Sequence, residues 1–225
     1  MKKGNNEKSL TLPQGEAWGN RGTLSLNLLK PDDKIAALIL AGGRSSRMGA
    51  LKPLLPLGGR LIIEGVISLF REAGISDILV VVGYQAEKII PLLENQGVRW
   101  VINEHYDRGM FSSVQIGVRT LTGDCRAFFL CPVDMPLIKT ATLKKLVAAY
   151  RERKMDVYHP CYGQRRGHPP LISAALIPSI LVFAEQGGLR ALLSRCKGTF
   201  LDVDCDDPGI LIDLDTPGDY ERVKG

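Results

Sequence analysis

Residues 34–59 read KIAALILAGGRSSRMGALKPLLPLGG. The stretch opens on an unbroken apolar run, Ile35 to Leu40, that closes on Gly42 and Gly43. So short an apolar run, ended by glycines, predicts a strand buried on both faces, as in a parallel sheet. The same signal recurs downstream. Residues 77–83 (DILVVVG), 98–103 (VRWVIN) and 127–131 (AFFLC) read as further strands. Between them lie helical patterns. Residues 62–73 carry apolar side chains at 62, 63, 66, 67, 69 and 70, and Gly74 stops that helix. Residues 86–93 predict a second helix, and 111–121 a third, entered through Ser112 and Ser113. Thr140 is expected to cap a fourth helix running to about Arg153. Beyond it come an extended stretch near Val157, the segment GHPPLIS (167–173), and helices around 174–184 and 188–195. TFLDVD (199–204) and GILIDLD (209–215) read as the last strands. Strands alternating with helices predict a single α/β domain, an open and mostly parallel sheet flanked by helices. Such sheets bind ligands at the carboxyl ends of their strands. The loops there are AGGRSSRMG, GYQ, NEHYDRGMFSS and PVDMP.

Composition narrows the function. The chain has 225 residues, of which 45% are hydrophobic, too many for a disordered protein. Residues 1–34, rich in Gly, Asn, Ser and Lys, are expected to be a flexible extension, which leaves 35–225 as the domain. The longest near-apolar stretch, Leu171 to Ala184, holds Ser173, Pro178 and Ser179 and falls short of the ~20 residues of a spanning helix. The N-terminus has no apolar core, so no secretory signal is expected and the cytoplasm is the predicted location. The five cysteines are dispersed and form no CxxC pair, which argues against a disulfide framework or structural zinc. The net charge of +5 divides into two poles. Residues 44–60 carry Arg44, Arg47, Lys52 and Arg60 without an acid. Residues 202–225 carry eight acids against Arg222 and Lys224. Opposed patches predict phosphates and a metal ion as partners, and neither nucleic acid nor a membrane.

Five stretches carry candidate chemistry. In Leu40-Ala41-Gly42-Gly43, glycines after a buried strand let backbone N–H groups approach a polyphosphate. Arg47 and Lys52 add positive charge at the same mouth. No GK[ST] or GxGxxG is present, so this is neither a Walker loop nor a dinucleotide fingerprint. Asp134, between Pro132 and Pro136 at the end of a central strand, presents a carboxylate suited to Mg²⁺. Asp213 and Asp215 alternate with apolar residues and are expected to share one face of a strand, where either can be a second metal ligand. Thr216, Pro217 and Asp219 read as the start of a helix. Asn103, Gly109, Ser112 and Ser113 can set amide and hydroxyl groups around a nucleobase, with His105 and Tyr106 as loop residues. Arg165, Arg166, Gly167 and His168 can receive an acidic second substrate or form a plain surface turn.

The string LAGGRSSRMG–K–LLPLGG resembles the signature loop of the nucleotidyltransferases that mature molybdenum cofactor, relatives of the sugar-nucleotide pyrophosphorylases. The resemblance spans about residues 35–224. It implies a Rossmann-like nucleotide-diphospho-sugar transferase fold and transfer of a nucleoside monophosphate to the phosphate of molybdopterin, with release of pyrophosphate. It implies that the glycines wrap the triphosphate and that Arg47 and Lys52 neutralise its charge. Asp134 matches the family's metal ligand, and the C-terminal DxDTPxD segment supplies the second, with Asp213 preferred and Asp215 next. The Asn103–Ser113 region would contact base and substrate. Arg166 and His168 resemble the RGHP element of cytidylyl-transferring members, which points to CTP. Gly42–Gly43 is commoner in the guanylyl branch, which keeps GTP open. Mg²⁺ is the implied cofactor, and a client molybdenum hydroxylase the implied downstream partner. The rival readings are an enzyme acting on a sugar or polyol phosphate, a molybdopterin carrier without catalysis, and a nucleotide-binding regulatory module.

Overall fold

A computed structural model describes residues 34–184, 186–196 and 198–224. The expected N-terminal extension, apart from Lys34, lies outside the described residues. In chain order the elements are β1 (Ile35–Ala41), β2 (Pro56–Leu57), β3 (Arg60–Leu61), α1 (Ile62–Glu72), β4 (Asp77–Val82), α2 (Ala86–Asn95), β5 (Arg99–Ile102), α3 (Met110–Thr120), β6 (Ala127–Pro132), α4 (Thr140–Glu152), β7 (Val157–Tyr162), β8 (Arg165–Arg166), β9 (Leu171–Ser173), α5 (Ile177–Val182), α6 (Gly188–Arg195), β10 (Phe200–Asp204) and α7 (Pro217–Lys224).

The main sheet runs β10-β7-β9-β6-β1-β4-β5, with β8 paired to β7. β1 sits at its centre, parallel to β4 and β6. β5 joins β4, and β10 joins β7, in the same sense. Only β9 among the path strands runs antiparallel, between β6 and β7. The open, mostly parallel sheet expected from the sequence is therefore the one formed.

All seven residues of β1 are buried, because helices cover both faces. Ile35, Ala37, Ile39 and Ala41 meet Ile63, Ile67 and Phe70 of α1 and Leu143, Leu146 and Val147 of α4 in one core. Ala36, Leu38 and Leu40 meet Val114 and Val118 of α3, Ile180 of α5 and Leu192 of α6 in the other. Each buried Val, Leu, Ile or Phe among them contributes roughly 1.5–3 kcal/mol over its exposed state. α3 lies so close to β1 that a Cβ on Gly117 would sit 2.5 Å from a methyl of Leu38.

Four expectations change. GILIDLD is not a strand. Pro208–Leu211 form a single 3-10 turn and residues 212–215 have no sheet partner. Asp207 accepts a hydrogen bond from Gly209 N at 3.0 Å, which fixes a turn, and Pro208 has no N–H to give a ladder. The Leu214 N–H instead donates to the Asp134 carbonyl at 2.8 Å. Thr140 does not cap α4, since its hydroxyl pairs with Glu72 at 3.1 Å. A distant side chain instead anchors this helix start: Asp207 accepts from Lys139 N at 2.8 Å and from the Thr142 hydroxyl at 2.7 Å. α3 starts at Met110, before the two serines, because Gly109 at φ +96° turns the chain there. The 174–184 helix divides into a 3-10 turn, Ala174–Leu176, and the shorter α5. The start of α7 is as expected. The Thr216 hydroxyl accepts from Asp219 N at 3.2 Å and the Asp219 carboxylate accepts from Thr216 N at 2.8 Å, a reciprocal cap.

Candidate active site

β1, β4, β5 and β6 are parallel, so their carboxyl ends open on one edge of the sheet. Backbone hydrogen bonds stitch the loops there together. Tyr84 N donates to Gly42 O at 3.2 Å, Asn103 N to Val82 O at 2.8 Å, and Val133 N to Leu40 O at 3.0 Å. The β1 and β4 loops touch at Gly83, whose Cβ would lie 2.8 Å from Gly42 O and 2.8 Å from Tyr106 Cβ. Sequence reasoning passed over Gly83, although it follows its strand much as Gly42 follows β1.

Between these loops lies a cleft of about 170 Å³ lined by Leu40, Ala41, Gly42, Gly43, Ser45, Lys52, Tyr106, Met110, Ser113 and Asp134, among others. Seven of these carry expected nucleotide-binding or catalytic roles. Ser45, Tyr106 and Met110 do not. Tyr106 stands edge-on to Tyr84, and Arg44 lies 5.5 Å from its ring centroid. Gly43 is informative because its packing does not require glycine. A Cβ there would meet nothing within 4 Å, and its φ lies outside the left-handed region. Its bare backbone leaves room on the cleft side of the loop.

At the floor of the cleft one ammonium joins two loops. Lys52 Nζ lies 2.9 Å from Asp134 Oδ2 and 2.7 Å from Asp215 Oδ1. Arg47 Nη2 takes the other oxygen, Asp215 Oδ2, at 2.6 Å. Lys52 comes from the short turn Lys52–Leu54, Asp134 from the end of β6, and Asp215 from the segment before α7. Burial alone would lower the Lys52 pKa, but the hydrogen bonds to Asp215 and Asp134 outweigh it and hold the pKa above the ordinary ammonium value. Asp215 is held below the usual carboxylate range, first by its hydrogen bond to Lys52, with Arg47 assisting. Asp213, the preferred partner from the sequence, is exposed and is not a partner of this ammonium. The pair sharing Lys52 is Asp134 and Asp215.

Asp134 and Asp215 offer oxygens to a common centre, a donor set that fits a hard divalent cation. Among the described residues no three or more His, Cys, Asp or Glu side chains gather for a metal. A cation here would thus take its remaining ligands from phosphates and water, as Mg²⁺ commonly does. The two loops are tied by Asp207, which is 1% exposed, and by the Leu214–Asp134 backbone bond. In the sequence Asp207 stands out only as part of an acidic run. Its signal was the Asp-Pro-Gly turn at 207–209.

The remaining expected residues sit around this centre. Asn103 is buried, and its side chain is used within the protein: Nδ2 donates to Ser112 Oγ at 2.8 Å and Ser113 Oγ at 2.9 Å, and Oδ1 accepts from His105 N. Ser112 Oγ reaches the carbonyls of Gly109 and His105. These bonds shape the loop; of the four residues Ser113 lines the cleft, and Asn103 and Ser112 line another space with His105 and Phe111. Arg165 and Arg166 form β8, returning on β7 through Gly163 and Gln164, both at positive φ. Arg166 pairs with both oxygens of Asp202, at 2.7 and 3.1 Å. Gly167 presses on the Ile210 carbonyl, and His168 N donates to the same oxygen at 2.9 Å. Burial lowers the His168 pKa, and its Nδ1 is buried with no hydrogen-bond partner. Arg166 and His168 line a second cavity of about 970 Å³ with Phe111, His159, Arg190 and Phe200. Met110 lines both spaces, so the two adjoin.

The family model of the MobA-like NTP transferase domain matches residues 37–199. The chain is 36% identical over 124 residues to bifunctional protein GlmU of Geotalea uraniireducens, covering 54% of this chain and 27% of that one. It thus spans about a quarter of that relative's length. It is 28% identical to nicotine blue oxidoreductase of Paenarthrobacter nicotinovorans, over 84% of this chain and 96% of the relative. The same identity links it to the molybdenum cofactor cytidylyltransferase of Escherichia coli, over 84% and 95%, and to the guanylyltransferase of Xanthomonas euvesicatoria, over 83% and 92%. Among solved structures, a nucleotidyl transferase from Methanothermobacter superposes with a TM-score of 0.73 at 25% identity, covering 85% of this chain and 96% of that one. A Mycobacterium tuberculosis protein in complex with manganese has the same fold, with a TM-score of 0.70 at 22% identity, covering 85% and 98%.

Proposed function

The chain belongs to the MobA-like NTP transferase family, and we propose that it moves CMP from CTP to the phosphate of molybdopterin, releasing pyrophosphate. The observation that carries this reading is the Lys52 ammonium shared by Asp134 and Asp215 below the open backbone at Gly43. That cleft has the components of phosphoryl transfer, which depends on positioning and charge stabilisation more than on covalent help.

In the proposed reaction an oxygen of the acceptor phosphate attacks the α-phosphorus of CTP in line with the bond to the β-phosphate. The new P–O bond forms as that bond breaks, and pyrophosphate leaves. No general base is needed, because a phosphate monoester is largely ionised near pH 7. Lys52 and Arg47 stabilise charge on the phosphates as it shifts to the leaving group. Gly42 and Gly43 cradle the triphosphate with backbone N–H groups. Asp134 and Asp215 would hold a divalent cation, which neutralises phosphate oxygens. Asp215 replaces the Asp213 preferred on sequence grounds, since it shares Lys52 with Asp134. The manganese-bound structural relative supports a metal here in kind. The acceptor enters from the larger cavity, past Arg166 and His168.

CTP is favoured by the Arg-Gly-His-Pro run at 166–169 and by the Escherichia coli relative's name. Guanylyl transfer is the second reading, favoured by Gly42–Gly43 and by the Xanthomonas relative. The test is pyrophosphate release with molybdopterin and either nucleotide, on the wild type and on Lys52→Ala and Asp134→Ala. Both variants are expected to lose turnover with a native circular dichroism spectrum. Normal turnover in both would contradict the proposal.

A further inference from the structure

We propose that Lys52 guards the cation position, so that the site accepts a divalent cation only together with a triphosphate. The inference rests on the reading of Asp134 and Asp215 as the pair that holds the cation. Lys52 Nζ stands between them, 2.9 and 2.7 Å from the two oxygens. The second oxygen of Asp215 is taken by Arg47 at 2.6 Å. Nothing slack surrounds the ammonium. The Lys52 side chain is 10% exposed, its backbone belongs to the turn continued by Pro53, and its N–H faces Ser45 Oγ at 3.4 Å.

An ammonium and a dication cannot share this position, because like charges at such a distance repel strongly in a partly desolvated cleft. A free cation entering alone must turn Lys52 out of both carboxylates and leave it without an anionic partner, which is costly for a buried charge. A cation arriving with a triphosphate brings the anionic oxygens that receive the displaced ammonium. Cation and nucleotide therefore load as a unit, each raising the affinity of the other by the same factor. The arrangement also keeps the two carboxylates from repelling one another while no substrate is bound.

Binding of Mn²⁺ alone, read from the electron paramagnetic resonance signal of the free ion, tests this on the full chain. Lys52→Met is expected to bind Mn²⁺ at least tenfold more tightly than the wild type. Adding Asp215→Asn to that variant is expected to remove the gain. Equal affinities for wild type and Lys52→Met overturn the proposal, as does a gain that survives Asp215→Asn. Should Lys52→Met lose the native circular dichroism spectrum, Lys52→Gln carries the same comparison. Pyrophosphate release by the wild type, assayed in parallel, separates the two ideas. Turnover with equal Mn²⁺ affinities sinks the guard alone. A tenfold difference without turnover upholds the guard and sinks the proposed reaction.

Discussion

Replacing Gly83 by alanine puts a methyl group where the β1 and β4 loops meet. Its Cβ would stand 2.8 Å from Gly42 O, 2.8 Å from Tyr106 Cβ and 3.1 Å from Gly42 Cα. Comfortable contacts begin near ~3.5 Å, so Gly42 and Tyr106 must retreat by about 0.7 Å. Two of the three obstructing atoms are backbone, and Gly42 O also holds Tyr84 N at 3.2 Å, so the retreat strains a hydrogen bond as well. Overpacking of this kind costs about 1–3 kcal/mol. For a domain of this size each kcal/mol moves Tm by roughly 2–4 °C, which gives a fall of about 2–12 °C. The loop that moves is the one proposed to cradle the triphosphate, and a displacement approaching 1 Å there costs about 100-fold in rate. Gly43→Ala is the matched control. Its Cβ meets nothing within 4 Å, so stability should hold within about 0.5 kcal/mol while CTP affinity falls at least tenfold. Thermal denaturation and CTP titration of both variants read the contrast. A Gly83→Ala protein with wild-type Tm and turnover, or a Gly43→Ala protein with wild-type CTP affinity, refutes the reasoning.

Asp207→Asn keeps the shape but places an NH₂ against a carboxylate's three donors, Lys139 N, Gly209 N and the Thr142 hydroxyl. Urea denaturation should show a loss of at least about 1.5–3 kcal/mol, and an unchanged midpoint would discount the clamp. Burial, then the Arg166 guanidinium, holds His159 down to about 4 from 6.5. The unfolded chain binds that proton first, so stability present above pH 6.5 is lost as the pH falls through about 4. His159→Phe should flatten the pH dependence of Tm in that window, and a parallel curve would remove His159 as its source. Arg166→Ala should raise KM for the acceptor while leaving KM for CTP within twofold; the opposite pattern would move Arg166 to the nucleotide side.

The parallel sheet was legible because β1, β4 beyond Asp77, and β6 are unbroken apolar runs that close on Gly42, Gly83 and Pro132, signals that need only neighbouring residues. The basic loop with Lys52 and the Asp134 turn were legible for the same reason. What escaped depends on partners far along the chain. Residues 209–215 alternate like a strand, yet the Leu214 N–H is claimed by Asp134, 80 residues earlier, and Asp207 draws its own turn and α4 together. Asp213 and Asp215 looked equivalent from alternation, and only the place where Lys52 arrives distinguishes them. Asn103 and Ser112 are expected from the sequence to face a nucleobase, and their mutual hydrogen bond, nine residues apart, is a contact that local pattern does not reveal.

The cleft is proposed to transfer a nucleotide to an acceptor phosphate. The most direct measurement supplies the wild-type protein with CTP labelled at the α-phosphorus, molybdopterin and Mg²⁺, and follows the label together with pyrophosphate. One pyrophosphate is expected for each labelled CMP joined to the acceptor, and none from Lys52→Ala. Label that stays in CTP, or appears as free CMP, would contradict it.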